Sequence, residues 1–317
     1  MITSLIETPS GLVSVEGRVE QHAVWVDLSD PTETERAHVE HTFNVKLPHR
    51  VHMRAVEPST RLVASSQHLE MTFSAPSRDP NLPASPMTCI LAEQHLITLH
   101  GSETRGFEAT RRFAAENPDT QAHDIFIMLV EETVDVIADR LEQLGADIDS
   151  LASSVFDLDG ASSRASKRIH GMVKRMGRYG TLTMRLQDAL TSLMRLSLFM
   201  SQHQKRIAPH LDNRSGTLAL GADIKALSEL AGALDDKVDF ILNAMLGIIA
   251  LDQNKITMVL SMMAAMFLPP TLISSIFGMN FVSMPGLSWH HGFFLCLGAM
   301  VGASMIVGGI FRWRRWL

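Results

Sequence analysis

The chain is short of the residues that several protein classes depend on. It has two cysteines in 317 residues, Cys89 and Cys296, and no CxxC pair. That excludes a disulfide framework and a zinc ribbon. No GxGxxG, P-loop or HExxH occurs up to Glu116, so this part reads as a scaffold or sensor rather than a nucleotide-driven motor. No nucleophile–base pair or metal triad stands out, and an enzyme is not expected. The N-terminal MITSLIETPSGLVSV lacks the basic start and apolar core of a signal peptide, which leaves the bulk of the protein in the cytosol. Acids are missing from one end altogether. All 34 lie at or before Asp252, and beyond Lys255 the charges are Arg312, Arg314 and Arg315. Up to Lys255 there are 25 bases against 34 acids, a balance of −9. Phosphate binding needs a basic face, so nucleic acid is not a partner. An acidic soluble part suits a protein that meets cations, and suits solubility alone as well.

What the C-terminal end does have is two runs without a charge, Ile256 to Phe277 and Gly292 to Phe311. Each has the ~20 residues a helix needs to cross ~30 Å of hydrocarbon. Between and around them the chain reads IFGMNFVSMPGLSWHH, Ile276 to His291, a hairpin turn at the far side of a membrane. Lys255 precedes the first run, three arginines follow the second, and the turn has neither Lys nor Arg. By the positive-inside rule both termini face the cytosol and the turn faces out. Trp313 and Trp316 suit the interfacial belt. The expected location is the cell membrane, as a multi-pass protein in contact with lipid.

The expected fold is α+β, in seven segments. Residues 1–120 form a cytosolic α/β domain, with β-rich runs at Leu12 to Val15, Ala23 to Leu28, Leu62 to Ala64, Leu69 to Phe73, Met87 to Leu91 and Leu96 to Leu99. Asp30-Pro31-Thr32-Glu33 opens a helix with Pro just inside its start, and a second helix covers Arg105 to Glu116. His38 and His41 share one face of the first, followed by His49 and His52; with no carboxylate or thiol to complete a set, they read as a solvated face. Residues 121–210 form an antiparallel helical hairpin. Its first arm has a heptad seam of Ile127, Val130, Val134, Ile137, Leu141, Leu144, Ile148, Leu151 and Val155. Its second arm is basic, so charge complementarity is expected to help hold the pair. Residues 211–255 form a stalk helix with a seam of Leu220, Ile224, Leu227, Ala231, Leu234, Val238, Ile241, Met245 and Ile248. No breaker separates this seam from the first apolar run, so one helix should continue from about Thr217 to Phe277, kinked at Pro269-Pro270. Then follow a transmembrane helix at 256–277, which the family resemblance given below implies as pore-lining, an outer loop at 278–291, a second transmembrane helix at 292–311 and a basic tail at 312–317. The small residues Gly298, Gly302, Ala303, Gly308 and Gly309 mark a packing face on the second span.

The first run has a polar or small stripe at Asn254, Thr257, Ser261, Ala264, Leu268, Thr271 and Ser275. Two helices cannot enclose an aqueous path, so a pore lined by this stripe requires several copies around an axis. In membrane helices Thr and Ser also serve as helix–helix contacts or bond back to their own backbone.

With these residues in view, the chain resembles the CorA family of magnesium and cobalt channels. The motif is Phe277-Gly278-Met279-Asn280-Phe281, the family's (Y/F)GMNF, at the end of the first of two C-terminal spans. Asn254, Pro269, Thr271, the basic tail FRWRRWL, Trp25-Val26-Asp27-Leu28 and Glu57-Pro58-Ser59 also resemble family positions. The resemblance implies a homopentamer that carries Mg²⁺, with Co²⁺ or Ni²⁺ as companions, down its electrochemical gradient. It implies Gly278, Met279 and Asn280 as the selectivity filter, with Gly278 permitting a sharp turn. It implies no tightly bound cofactor; Mg²⁺ is both cargo and regulatory ion. A ring of side-chain carbonyls can select hydrated Mg²⁺ without stripping its water. Two features depart from the family. Met284-Pro285-Gly286-Leu287 stands where MPEL is common, with His290 and His291 nearby as donors for a softer ion. Leu268 stands where a pore-facing Met is common, which would form a hydrophobic gate. The residues leave open a transition-metal transporter of the same superfamily, carrying Zn²⁺ and coupled or not to protons. They also leave open, more remotely, a membrane-tethered coiled-coil scaffold. A feedback site for cytosolic Mg²⁺ is expected between neighbouring copies at Asp235, Asp236 and Asp239.

Overall fold

A computed structural model describes residues 2–8, 11–17, 19–49, 53, 61–77, 84–101, 105–117, 119–156, 163–207, 214–279 and 290–314. Seven strands form one mixed sheet: β1 Ile2–Thr8, β2 Gly11–Glu16, β3 Ala23–Ser29, β4 Leu62–Ala64, β5 His68–Ala75, β6 Ser85–Ala92 and β7 Leu96–His100, in the order β2-β1-β3-β7-β6-β5-β4. All neighbours are antiparallel except β3 and β7, which run parallel with Trp25 opposite Leu96 and Leu28 opposite Leu99. Helix α1, Glu33–Phe43, lies between β3 and β4 in the chain. Helices α2, Arg105–Glu116, and α3, Ala122–Phe156, follow β7.

The central strands are apolar on both faces because both faces are covered. Val26 and Leu28 of β3 join Ile90, Ile97, Leu99 and Val39 of α1 in one cluster. Trp25, on the opposite face, stacks on Phe107 of α2 at 5.8 Å between ring centres. β1 was not among the expected strands. Its pairing with β3 shifts register between Leu5 and Ile6, and that irregularity breaks the alternation a regular strand would show. The start of α1 also differs from expectation. Thr32 is its N-cap and closes a capping box with Glu35, so Pro31 stands before the cap instead of inside the helix. His38, His41 and His49 are solvent-exposed, and His52 lies outside the described residues.

Three long helices complete the first of two compact units: α3, α4 (Ser163–Ile207) from Arg168 onward, and α5 (Arg214–Phe277) up to Leu242. A methyl group added at Gly145 of α3 would lie 3.6 Å from Leu234 of α5. One at Gly180 of α4 would lie 3.3 Å from Val238, and one at Gly221 of α5 would lie 3.1 Å from Ser197. The last two contacts make α4 antiparallel to α5, and Gly145–Leu234 together with the Asp149–Lys237 ion pair makes α3 and α5 parallel. The α3 seam is buried from Val130 to Val155. Each such Leu, Ile or Val contributes roughly 1.5–3 kcal/mol relative to exposure. Ile127 is only half-buried. At that end Ile125, Phe126 and Leu129 are buried instead, because α3 packs there on the sheet and on α2 and needs a wider face than a coiled-coil seam. The cross-helix ion pair described on α3 joins Asp149 to Lys237 of α5, so this link runs to the stalk and not to the basic α4.

α5 runs unbroken from Arg214 to Phe277 through Pro269 and Pro270. At 1.5 Å per residue it is about 95 Å long. Its seam is buried at Leu220, Ile224, Ala231, Leu234, Val238, Ile241 and Met245, and half-buried at Leu227 and Ile248. The second compact unit includes 243–317, the distal part of α5 with α6, Gly292–Trp313. Within Ala219–Phe277 and along Gly292–Trp313 these helices are long and apolar enough to cross a membrane, and α6 has no buried residue.

Candidate ion pathway

The described part of the candidate site is the C-terminal third of α5 and its exit. On α5, residues 258, 262, 265, 269, 270 and 273 are half-buried. On α6, residues 292, 296, 300, 302, 303, 304, 307, 308 and 311 are half-buried at a matching helical spacing. These are the faces the two helices turn to each other. Ser304 Oγ donates to the Met266 carbonyl at 3.2 Å, and a methyl at Gly308 would lie 3.3 Å from Met266 Cε. Of the expected small-residue face, Gly308 makes this close approach. Gly298, Gly302 and Gly309 have open space where a side chain would go.

Asn254, Thr257, Ser261, Ala264, Leu268, Thr271 and Ser275 are all exposed. At 100° per residue their mean direction lies roughly 125° around α5 from the α6-facing side. The stripe is therefore not the contact between the two helices of one chain. Leu268 is 68% exposed. Thr257 Oγ1 donates to the Gln253 carbonyl at 3.0 Å and Thr271 Oγ1 to the Phe267 carbonyl at 2.7 Å. These hydroxyls satisfy their own protons within the helix and keep oxygen lone pairs outward, which suits a surface that meets hydrated cations.

The helix ends by tightening. The Gly278 N–H donates to the Ser274 carbonyl at 2.9 Å, and the Met279 N–H to the Ile276 carbonyl at 3.3 Å. Among the described glycines only Gly17 has positive φ. The chain turns out of the helix at Gly278 without a left-handed φ. The small size of Gly278 matters through close approach, since a methyl there would lie 3.1 Å from the Ser274 carbonyl oxygen. Asn280 and Met284 to Leu287 lie outside the described residues.

The three acids expected to meet between neighbouring copies lie on α5. Asp235 is half-buried, while Asp236 and Asp239 are exposed. Within one chain, no group of three His, Cys, Asp or Glu side chains among the described residues is placed to hold a metal. Two polar groupings were not foreseen. Glu131 of α3 meets the field of Asp223 across the helix pair; burial first, then Asp135, Glu132 and Asp223, push its carboxyl above the usual range. Their matched heptad phase was the available signal.

The second grouping is a buried network in the sheet. Asp27 Oδ1 accepts from Thr98 Oγ1 at 2.6 Å and lies 3.0 Å from His100 Nε2. A carboxylate can only accept, so this ring nitrogen is the donor. Asp27 Oδ2 accepts from an Arg111 guanidinium nitrogen at 2.7 Å, and Trp25 Nε1 donates to Thr98 Oγ1 at 3.0 Å. The signal was an acid in the middle of an apolar strand, which burial permits only with partners.

The CorA-like Mg²⁺ transporter protein family matches residues 20–314. The magnesium transport protein CorA of Sodalis glossinidius (strain morsitans) is 24% identical over 299 residues, covering 93% of this chain and 92% of that protein. The protein of the same name from Yersinia pestis is 25% identical over 299 residues, with the same 93% and 92% coverage. The complete structure of the CorA magnesium transporter from Methanocaldococcus jannaschii aligns with a TM-score of 0.77 at 16% identity, over 98% of this chain and 97% of that one. That likeness is one of fold, and it takes in the sheet, the long helices and the two apolar helices together.

Proposed function

Because the chain belongs to the CorA-like Mg²⁺ transporter family, a family of membrane ion transporters, we propose that it admits Mg²⁺ through a pore built from several copies of α5. The observation that carries this reading is the exposed stripe from Asn254 to Ser275, turned away from α6 on a helix with no charge between Ile256 and Phe277. A polar stripe on an apolar helix is stable in a bilayer only when it faces other copies or water. Five copies, as the family resemblance implies, would set seven rings of such residues around one axis.

In this reading residues 1–255 and 312–317 are cytosolic, 256–277 and 292–311 span the membrane, and 278–291 form the outer mouth. Gly278, Met279 and Asn280 form the filter, where Asn280 carbonyls hydrogen-bond the water shell of Mg²⁺. Leu268, exposed on the stripe, closes the path by dewetting. Entry needs no nucleotide, because the membrane potential supplies ~2.3 kcal/mol per charge per 100 mV. Asp235, Asp236 and Asp239 of neighbouring copies bind cytosolic Mg²⁺ and hold the pore shut. Co²⁺ and Ni²⁺ share the path.

The test is Mg²⁺ uptake into liposomes containing the purified full-length protein, with Zn²⁺, Co²⁺ and Ni²⁺ as comparison ions and native mass spectrometry for the copy number. Asn280→Ala should abolish selective divalent uptake while leaving the oligomer intact. Wild-type uptake by a folded Asn280→Ala protein would reject the filter assignment. Zinc uptake without magnesium uptake would replace the cargo.

A further inference from the structure

From residue 278 to 291 the chain has no Asp, Glu, Lys, Arg or Cys. The ionisable groups of this segment are His290 and His291 alone. Both are exposed, just ahead of Gly292, the first residue of α6. Their rings lie 5.2 Å apart between centres at an interplanar angle of 74°. Two imidazoles bound through nitrogen to one tetrahedral ion at ~2.0–2.1 Å have ring centres roughly 5 Å apart. The two rings already stand at that separation.

We propose that His290 and His291 form a binding site for first-row transition-metal dications such as Zn²⁺. Two neutral nitrogen donors suit Zn²⁺, Ni²⁺ or Co²⁺, whereas Mg²⁺ takes oxygen donors and keeps its water. The pair therefore distinguishes these ions by chemistry, where a carbonyl ring acting on hydrated ions distinguishes mainly by size and charge. Water or the same pair in another copy supplies the remaining positions. The positive end of the α6 dipole opposes any cation there, but by only roughly two- to fivefold in affinity. Two coordinate bonds exceed that. If the 278–291 segment is the outer mouth, a statement that rests on the function proposed above, a dication held there repels the next one. Transition metals outside would then restrain Mg²⁺ entry.

The experiment has two arms on the full-length protein in lipid. Calorimetric titration with Zn²⁺ compares wild type with His290→Ala, His291→Ala and the double variant. Other histidines contribute equally to all four proteins, so the difference isolates the pair. Either single change should weaken the site by more than roughly tenfold, since loss of even an outer-shell partner costs that much. Unchanged zinc binding in the double variant overturns the proposal. So does full binding in either single variant, because a chelate needs both rings. In the second arm, Zn²⁺ outside proteoliposomes is titrated against Mg²⁺ uptake, each protein scaled to its own zinc-free rate. The double variant should need about tenfold more Zn²⁺ for half-inhibition, and equal sensitivity overturns the gating role. If wild type shows no Mg²⁺ uptake, the transport reading fails while the calorimetric arm still decides the metal site.

Discussion

Arg111→Leu tests how the sheet is tied to α2. The Asp27 side chain is 2% exposed and receives Thr98, His100 and Arg111, the last at 2.7 Å on Oδ2. Removing one partner of a fully buried ion pair costs ~3–5 kcal/mol. Here the Arg111 side chain is 35% exposed, so water already screens part of its charge. Oδ1 keeps two donors after the change. The expected loss is therefore ~2–3 kcal/mol. For a chain of this size, 1 kcal/mol moves the unfolding midpoint by roughly 2–4 °C, which gives a drop of about 5–10 °C. Asp27→Asn should be milder, ~1–2 kcal/mol, because its amide oxygen still accepts from Thr98 and His100 and Arg111 can turn to water. The double variant should lose less than the sum of the two, by ~1–2 kcal/mol. Trp25, stacked on Phe107 beside the network, supplies the fluorescence signal for thermal unfolding of the full-length protein in detergent. All variants are compared at one scan rate. A midpoint for Arg111→Leu within about 1 °C of the parent, or strictly additive losses, would refute the coupling.

Three further outcomes are expected. Leu268→Ser should raise basal ion leak in low Mg²⁺, since it would wet the gate proposed at that position; an unchanged leak puts the constriction elsewhere. Asp235→Asn, Asp236→Asn and Asp239→Asn together should shift closure to higher cytosolic Mg²⁺. A flux curve against internal Mg²⁺ that stays where it was would remove this cluster from the feedback mechanism. Acid should destabilise the fold through His68, His95 and His123, which burial holds below the ordinary 6.5. The unfolded chain takes up these protons first, so stability is full above about pH 6.5 and is lost as pH falls through the lowered values. Neither ring nitrogen of His123 has a hydrogen-bond partner among the described residues, and Asp124 is 3.8 Å away. His123→Phe should flatten the midpoint-against-pH curve as pH falls below about 6.5; the same slope as the parent would exclude this residue as a source of the loss.

The features legible in the sequence are those that depend on local period. The α3 seam from Val130 to Val155 and the α5 seam from Leu220 to Met245 are buried where heptad spacing put them. The two charge-free runs are helices, because a bilayer-length apolar run has to satisfy its own backbone. Phe277-Gly278-Met279-Asn280 identified the family without any coordinates. What the tertiary structure alone decided is which groups meet. Asp27, Thr98, His100 and Arg111 come from three elements, and nothing in any one of them shows that β3 and β7 lie side by side and parallel. β1 escaped notice because its shifted pairing with β3 belongs to both strands at once. Ile127 continues the heptad, yet is displaced from the seam where α3 turns a wider face to the sheet. The stripe on α5 was visible as a period, but its orientation away from α6 required the packing of the two helices. Period is a property of one backbone, whereas the direction a face takes is set by the neighbour that covers it.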